Sequence, residues 1–120
     1  MSEWQGRTAL ITGASYGIGT AFAQRLAADG AHLILTARSG DRLETLAAEL
    51  RNKYDVNVTI IEADLAQSAA PQFIFDEVQR QGLQVDLLVN NAGFGAAGDF
   101  AKQPLARQLE MIQVNVTALV

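Results

Sequence analysis

The chain contains no cysteine, and this absence removes several kinds of chemistry at once. Its 120 residues also include one histidine and two prolines. Without cysteine there is no disulfide, no thiolate metal site and no cysteine nucleophile. His32 has no ligand-type neighbour in the sequence, so we predict that it is structural and expect no metal site.

Basic residues and long apolar runs are also scarce. Nine lysines and arginines against thirteen acidic residues give a formal net charge of −4. Because nucleic-acid-binding surfaces are basic, nucleic acid is not an expected partner. The apolar runs are too short to span a bilayer, and the N-terminus carries no signal-peptide core. We therefore expect a cytoplasmic protein without membrane contact.

Strand-like and helix-like segments alternate along the chain. Apolar and β-branched runs predict strands, and apolar residues at helical spacing predict helices. The predicted strands are residues 7–11, 32–37, 57–62 and 85–89, and the predicted helices run to about residue 29, around 43–50, over 70–81 and from about 104 onwards. Gly30 and Gly82 are predicted helix stops. This alternation predicts an α/β fold with right-handed crossovers and a doubly wound parallel sheet.

The last predicted helix has no stop signal before the final residue. One apolar stripe continues to the last residue, and no glycine, proline or basic cap precedes the end. The stripe consists of Leu105, Leu109, Ile112, Val116 and Leu119. We therefore interpret residues 1–120 as one domain, the N-terminal part of a larger α/β protein, which ends within its fourth long helix.

Three glycines mark the turn between the first strand and the first helix. Gly13, Gly17 and Gly19 allow positive φ and let main-chain N–H groups approach a ligand without a Cβ in the way. The turn leads into a helix N-terminus, where unpaired N–H groups and the helix dipole favour an anion. The expected anion is the pyrophosphate of a dinucleotide. The alternative is a tight strand–helix turn without a ligand.

The spacing Thr-Gly-x-x-x-Gly-x-Gly resembles the coenzyme turn of the classical short-chain dehydrogenase/reductase family. Three further features follow in the family's order: Asp64-Leu65 after the third strand, Asn90-Asn91-Ala92-Gly93 after the fourth, and Asn115 in the last helix. The resemblance covers residues 8–120. It implies a Rossmann-type sheet with strand order 3-2-1-4 and hydride transfer between NADP(H) and a small-molecule alcohol or carbonyl substrate.

Arg38 bears on the choice of cofactor. An acidic residue at the end of the second strand would bind the ribose 2′-hydroxyl of NAD, but Ala37 stands there. The planar guanidinium of Arg38 suits a 2′-phosphate instead. We therefore predict NADP, with NAD possible. The alternative is a solvated arginine paired with Asp41.

The resemblance assigns further cofactor contacts to the turn and the strand ends. The complete predicted set is Gly13, Ser15, Tyr16, Gly17, Ile18, Gly19, Arg38, Asp64, Leu65, Asn91, Ala92 and Gly93. The hydroxyls of Ser15 and Tyr16 contact phosphate and ribose, or serve only the turn. Asp64 accepts from the adenine amino group, or caps the following helix. Asn90 and Asn91 end a buried strand, and one of them is expected to tie neighbouring loops together.

The family's catalytic residues are mostly missing from the chain. The family needs a serine and a Tyr-x-x-x-Lys, but Tyr16 and Tyr54 are followed four positions later by Thr20 and Val58. Asn115 is the one catalytic residue that the resemblance assigns. It is implied to distort its helix and hold a water of the proton relay, the alternative being a surface or interface asparagine.

Further expectations concern the chain by itself and the full-length enzyme. The chain alone is predicted to be inactive and, with its fourth strand left as an unpaired edge, prone to aggregate. The full-length enzyme is implied to form a homo-oligomer. The alternative function is a non-catalytic dinucleotide-binding module. An extended-branch epimerase is disfavoured because a single residue, Ile18, separates the last two glycines.

Overall fold

The computed structural model describes residues 3–15 and 17–91, together with the backbone of residues 112–115. Strands and helices alternate through most of this range. In chain order they are β1 (Thr8–Thr12), α1 (Gly17–Ala28), β2 (His32–Ala37), α2 (Gly40–Lys53), β3 (Val58–Glu62), α3 (Ala70–Arg80), β4 (Leu87–Asn90) and β5 (Ile112–Asn115).

The strands of the described residues form one parallel sheet in the order β3-β2-β1-β4-β5. In this sheet Thr12 of β1 lies opposite Thr36 of β2, and Ala37 of β2 lies opposite Glu62 of β3. Parallel neighbours need a crossover connection, which α1 and α2 supply between the first three strands. The predicted doubly wound α/β sheet and the order 3-2-1-4 of its first four strands are confirmed.

Both faces of the sheet are covered, which explains the nearly continuous apolar character of the central strands. Successive side chains of a strand point to opposite faces. Ile11 therefore belongs to a core shared with α1 and α2, whereas Leu10 belongs to a second core that includes Ile74 and Val78 of α3. Within α2, the predicted inner face is the buried one.

The two glycines predicted to stop helices do so by a left-handed cap. Gly30 has φ of 90° and Gly82 has φ of 67°. After α1 the amide of Ala31 donates to the carbonyl of Leu26 at 3.0 Å, and after α3 the amide of Leu83 donates to Val78 at 3.0 Å. These bonds satisfy carbonyls that the last helical turn leaves open.

The prediction of a helix is wrong at residues 112–115, which form β5. Its register against β4 runs from Leu87 opposite Ile112 to Asn90 opposite Asn115. The sequence fits both periods, because β-branched Ile112 and Val114 also alternate with polar residues as strands do. Pairing also satisfies the backbone edge of β4.

The prediction of an unpaired β4 edge is therefore wrong as well, because among the described strands β5 takes the outer position on that side of the sheet. The remainder of the predicted last helix, and with it the prediction that the chain ends in a helix, lies outside the described residues. Within the described parts of the chain, no helix has the length and apolar character needed to cross a membrane.

Candidate functional site

The predicted site residues that the structure describes gather at one edge of the sheet. The glycine turn follows β1, Arg38 follows β2, Asp64 comes shortly after β3 and Asn91 follows β4. Because the strands are parallel, these positions share the carboxyl edge. The chain order reverses between β1 and β4, and ligands of open α/β sheets bind in the crevice at such a switch point.

Two glycines of the turn are required by their backbone conformation. Gly13 has φ of 64° and Gly17 has φ of 49°. A residue with a Cβ pays roughly 1–2 kcal/mol in this left-handed region. A Cβ on Gly17 would meet nothing within 4 Å, so the turn needs its φ and not its small size.

Gly19 is required for the opposite reason, which is close packing. A Cβ at this position would collide with the carbonyl oxygen of Gly13 and would lie 2.9 Å from Nδ2 of Asn91. The first turn of α1 therefore lies directly against the ends of β1 and β4. This turn contains no acidic residue, so the free N–H groups at the start of α1 have no carboxylate of their own helix to compensate them.

Thr12 connects the ends of β1 and β4 through its hydroxyl. Thr12 Oγ1 donates to Oδ1 of Asn90 at 3.0 Å and accepts from the amide of Asn91 at 2.8 Å. Thr12 and Asn90 are both fully buried. An asparagine was expected to tie neighbouring loops together, and the structure shows Asn90 bonded at the ends of two neighbouring strands instead. The role of Thr12 was missed, although a hydroxyl closing a buried apolar strand is a signal that could have found it.

The turn is also fixed to β2 and to α1. The amide of Ala14 donates to the carbonyl of Thr36 at 3.3 Å, and Thr20 Oγ1 donates to the carbonyl of Ala14 at 2.7 Å. An open groove of about 330 Å³ lies beside the turn. Ser15 and Thr20 line it on one side and Asp41, Arg42 and Thr45 of α2 on the other. Ser15 thus lies at the surface between the turn and α2.

Arg38 is exposed at the end of β2, close to the start of α2. Among the ion pairs of the described residues none joins Arg38 to Asp41, so the alternative of a paired loop arginine has no support.

Glu62, at the end of β3, was missed by sequence reasoning. Its carboxylate lies so close to Gly40, the first residue of α2, that a Cβ at Gly40 would collide with it.

Asp64 does not cap the helix that follows it. Its Oδ1 accepts from the amide of Ala66 at 2.9 Å, which is a local Asx turn, while the N-cap of α3 is Ala69. The capping alternative is therefore wrong. Leu65 is half-buried against the core on the α3 face, and Asp64 lies beside it at the carboxyl edge.

The remaining predicted residues are placed as follows. Ile18 is 36% exposed at the start of α1. Asn115 lies at the end of β5 opposite Asn90, in a strand and not in the predicted helix. Tyr16, Ala92 and Gly93 lie outside the described residues. The structural role predicted for His32 is confirmed, because its Nδ1 accepts from the amide of Asn57 at 3.0 Å.

Comparison with known proteins identifies a family. The family model for short chain dehydrogenases matches residues 7–120. The 3-oxoacyl-(acyl-carrier-protein) reductase FabG of Aquifex aeolicus is 36% identical over 113 residues, a match that covers 94% of this chain and 46% of that protein.

Solved structures of oxidoreductases also resemble this chain. An alcohol dehydrogenase from Thermococcus sibiricus, complexed with 5-hydroxy-NADP, superposes with a TM-score of 0.70 at 43% identity, over 74% of this chain and 38% of that one. L-Sorbose reductase from Gluconobacter frateurii, complexed with NADPH and L-sorbose, gives 0.71 at 41% identity, over 76% and 35%. The chain thus spans less than half the length of the relatives it matches.

Proposed function

Because this chain belongs to the short chain dehydrogenase family, we propose that it is the NADP(H)-binding part of an oxidoreductase that interconverts a small alcohol and its carbonyl compound. The family is one of oxidoreductases, and the two structural relatives described above are complexes with 5-hydroxy-NADP and with NADPH. The proposal places the cofactor at the carboxyl edge of the sheet, and the substrate beside it.

The observation that carries the proposal is the close approach at Gly19. With no side chain at Gly19, and with Gly13 and Gly17 in the left-handed region, the turn presents main-chain amides at the start of α1. A pyrophosphate needs such bare amides at a helix N-terminus. The acid-free first turn of α1 leaves the dipole available for it.

The other predicted contacts are part of the proposal. Arg38 would pair with the 2′-phosphate, and Asp64 with Leu65 would receive the adenine. Asn91, which the Thr12 hydroxyl holds in place, would line the ribose together with Ala92 and Gly93. Ser15, Tyr16 and the exposed side chain of Ile18 would complete the pocket along the turn.

Hydride transfer is the chemistry that the nicotinamide supplies when bound, and the protein must provide the proton. The chain has no Tyr-x-x-x-Lys for this purpose. We therefore propose that these 120 residues bind the nucleotide but do not turn over substrate. Asn115, opposite Asn90 at the carboxyl edge, is the one residue that we assign to the proton relay.

We further propose that the complete enzyme is cytoplasmic and forms a homo-oligomer.

Nucleotide titration of the purified chain tests the proposal. Calorimetry with NADPH and NADH is expected to show saturable binding at one site, and the fluorescence of bound NADPH should change in parallel. Absence of heat from both nucleotides, with the chain folded by circular dichroism, would overturn it. A second assay follows NADPH consumption with a panel of ketones and aldehydes, where measurable turnover would contradict the assignment of binding without catalysis.

A further inference from the structure

The start of α2 lies near the ends of two neighbouring strands, β2 and β3. Arg38 follows β2 directly, and Glu62 ends β3 in the position opposite Ala37. The Glu62 carboxylate is packed against Gly40, the residue at which α2 begins. The acidic residue that β2 lacks at its end is therefore present one strand away, in register.

The charge around this helix start is balanced. Arg38 and Arg42 carry two positive charges, and Asp41 and Glu62 carry two negative charges. Asp41 and Arg42 belong to the first turn of α2, Arg38 lies two residues before the helix, and Glu62 is packed against its first residue. Ser39, the N-cap of α2, makes no side-chain cap bond. Glu62 is thus the anion that meets the positive end of the α2 dipole from outside the helix.

We propose that Glu62 is a cofactor-specificity residue that opposes Arg38. This inference rests on the proposed NADP(H) site. A 2′-phosphate bound by Arg38 would come close to the Glu62 carboxylate and be repelled by it, whereas the neutral 2′-hydroxyl of NADH would not. The preference for NADPH is consequently smaller than Arg38 alone would give, and the site accepts both nucleotides.

Neutralising Glu62 should change the preference in a defined direction. Glu62→Gln keeps the shape of the side chain against Gly40 but leaves the cluster with one net positive charge. For a doubly charged phosphate about 5 Å away in aqueous surroundings, Coulomb's law gives a gain of roughly tenfold in NADPH affinity. NADH affinity should stay within about twofold. The gain should shrink as ionic strength rises, because screening weakens exposed charge interactions.

The experiment compares dissociation constants for NADPH and NADH by calorimetry at low and high salt. Asp55→Asn is the matched control, since Asp55 is an exposed carboxylate just beyond the opposite end of α2 and its loss should leave the ratio unchanged. Glu62→Thr, which removes the charge and favours a strand, repeats the test should Glu62→Gln fold poorly.

The outcomes separate the two proposals. A selective, salt-dependent gain for NADPH in either Glu62 variant supports the inference. Binding of both nucleotides with an unchanged ratio overturns the inference and leaves the proposed function intact. If the unaltered chain binds neither nucleotide, both are overturned.

Discussion

Thr12 and Thr36 lie opposite each other in neighbouring strands, and their buried hydroxyls are in different situations. Both side chains are fully buried. Thr12 Oγ1 bonds to Asn90 and to the amide of Asn91, whereas Thr36 Oγ1 has no hydrogen-bond partner within the described residues. Thr12 therefore stabilises the candidate site through its hydroxyl, whereas the equally buried Thr36 contributes only packing.

Substituting each threonine by valine should separate these roles. Thr12→Val leaves the amide of Asn91 and Oδ1 of Asn90 without this partner, which should lower the free energy of unfolding by about 1–3 kcal/mol. Thr36→Val removes an unsatisfied buried hydroxyl, so it should be neutral or stabilising. Urea denaturation measures both changes, and equal losses in the two variants would contradict the assignment.

Gly19→Ala should disrupt the turn and the binding site together. The new methyl group would collide with the Gly13 carbonyl and crowd Asn91, and such overpacking costs about 1–3 kcal/mol. NADPH binding, measured by calorimetry at a temperature where the variant is folded, should weaken at least tenfold. Gly82→Ala is the control, since a Cβ there meets open space and the position lies after α3. It should lose stability through its positive φ but keep its NADPH affinity.

Arg38→Ala should affect the two nucleotides unequally. Loss of a charge-assisted contact to the 2′-phosphate is worth roughly 1.5–3 kcal/mol, which corresponds to about a 10- to 150-fold weaker NADPH complex. NADH should be bound as before. Arg25→Ala removes an exposed arginine of α1 that is paired with Asp29, just after the helix, and should change neither constant. Equal weakening of NADPH and NADH in Arg38→Ala would remove the argument for a 2′-phosphate site.

A small acid dependence of stability should come from Glu77 on α3. The side-chain hydrogen bond from Arg80 holds the pKa of Glu77 below its usual value of 4.5. A carboxyl group whose pKa is lowered by folding stabilises the protein above the pKa of the unfolded chain, and this contribution is lost as the pH falls through the lower folded value. Both side chains are solvent-accessible, so the effect should be slight.

Denaturation curves measured from neutral to acidic pH test this dependence. The difference in unfolding midpoint between the unaltered chain and Glu77→Gln should be largest near neutrality and should narrow as the pH falls below 4.5. A difference that stays constant over this range would show that the ion pair does not contribute.

Local sequence patterns correctly predicted those secondary-structure features that depend only on neighbouring residues in the chain. β2 was predicted with its bounds because a run of six residues between two turns is apolar enough to be buried on both faces. The ends of α1 and α3 at Gly30 and Gly82 were likewise predictable from the sequence, because a left-handed helix cap favours glycine.

What the sequence did not reveal depends on contacts between distant segments. The helical stripe and the strand alternation coexist in residues 112–115, and the free edge of β4 decides between them. Glu62 reaches Gly40 only through the register of β3 against β2. The hydroxyl of Thr12 and the amide of Asn91 are 79 positions apart, and no local pattern links them.

The bond between Thr12 and the amide of Asn91 also affects how that amide exchanges its hydrogen with solvent. Asn91 follows the last residue of β4 at the mouth of the crevice, where a backbone N–H facing water would exchange rapidly. Bonded to a hydroxyl that is itself buried, it exchanges only when β1 and β4 separate at that end. The exchange rate of the Asn91 amide hydrogen thus reports how often β1 and β4 separate beneath the site.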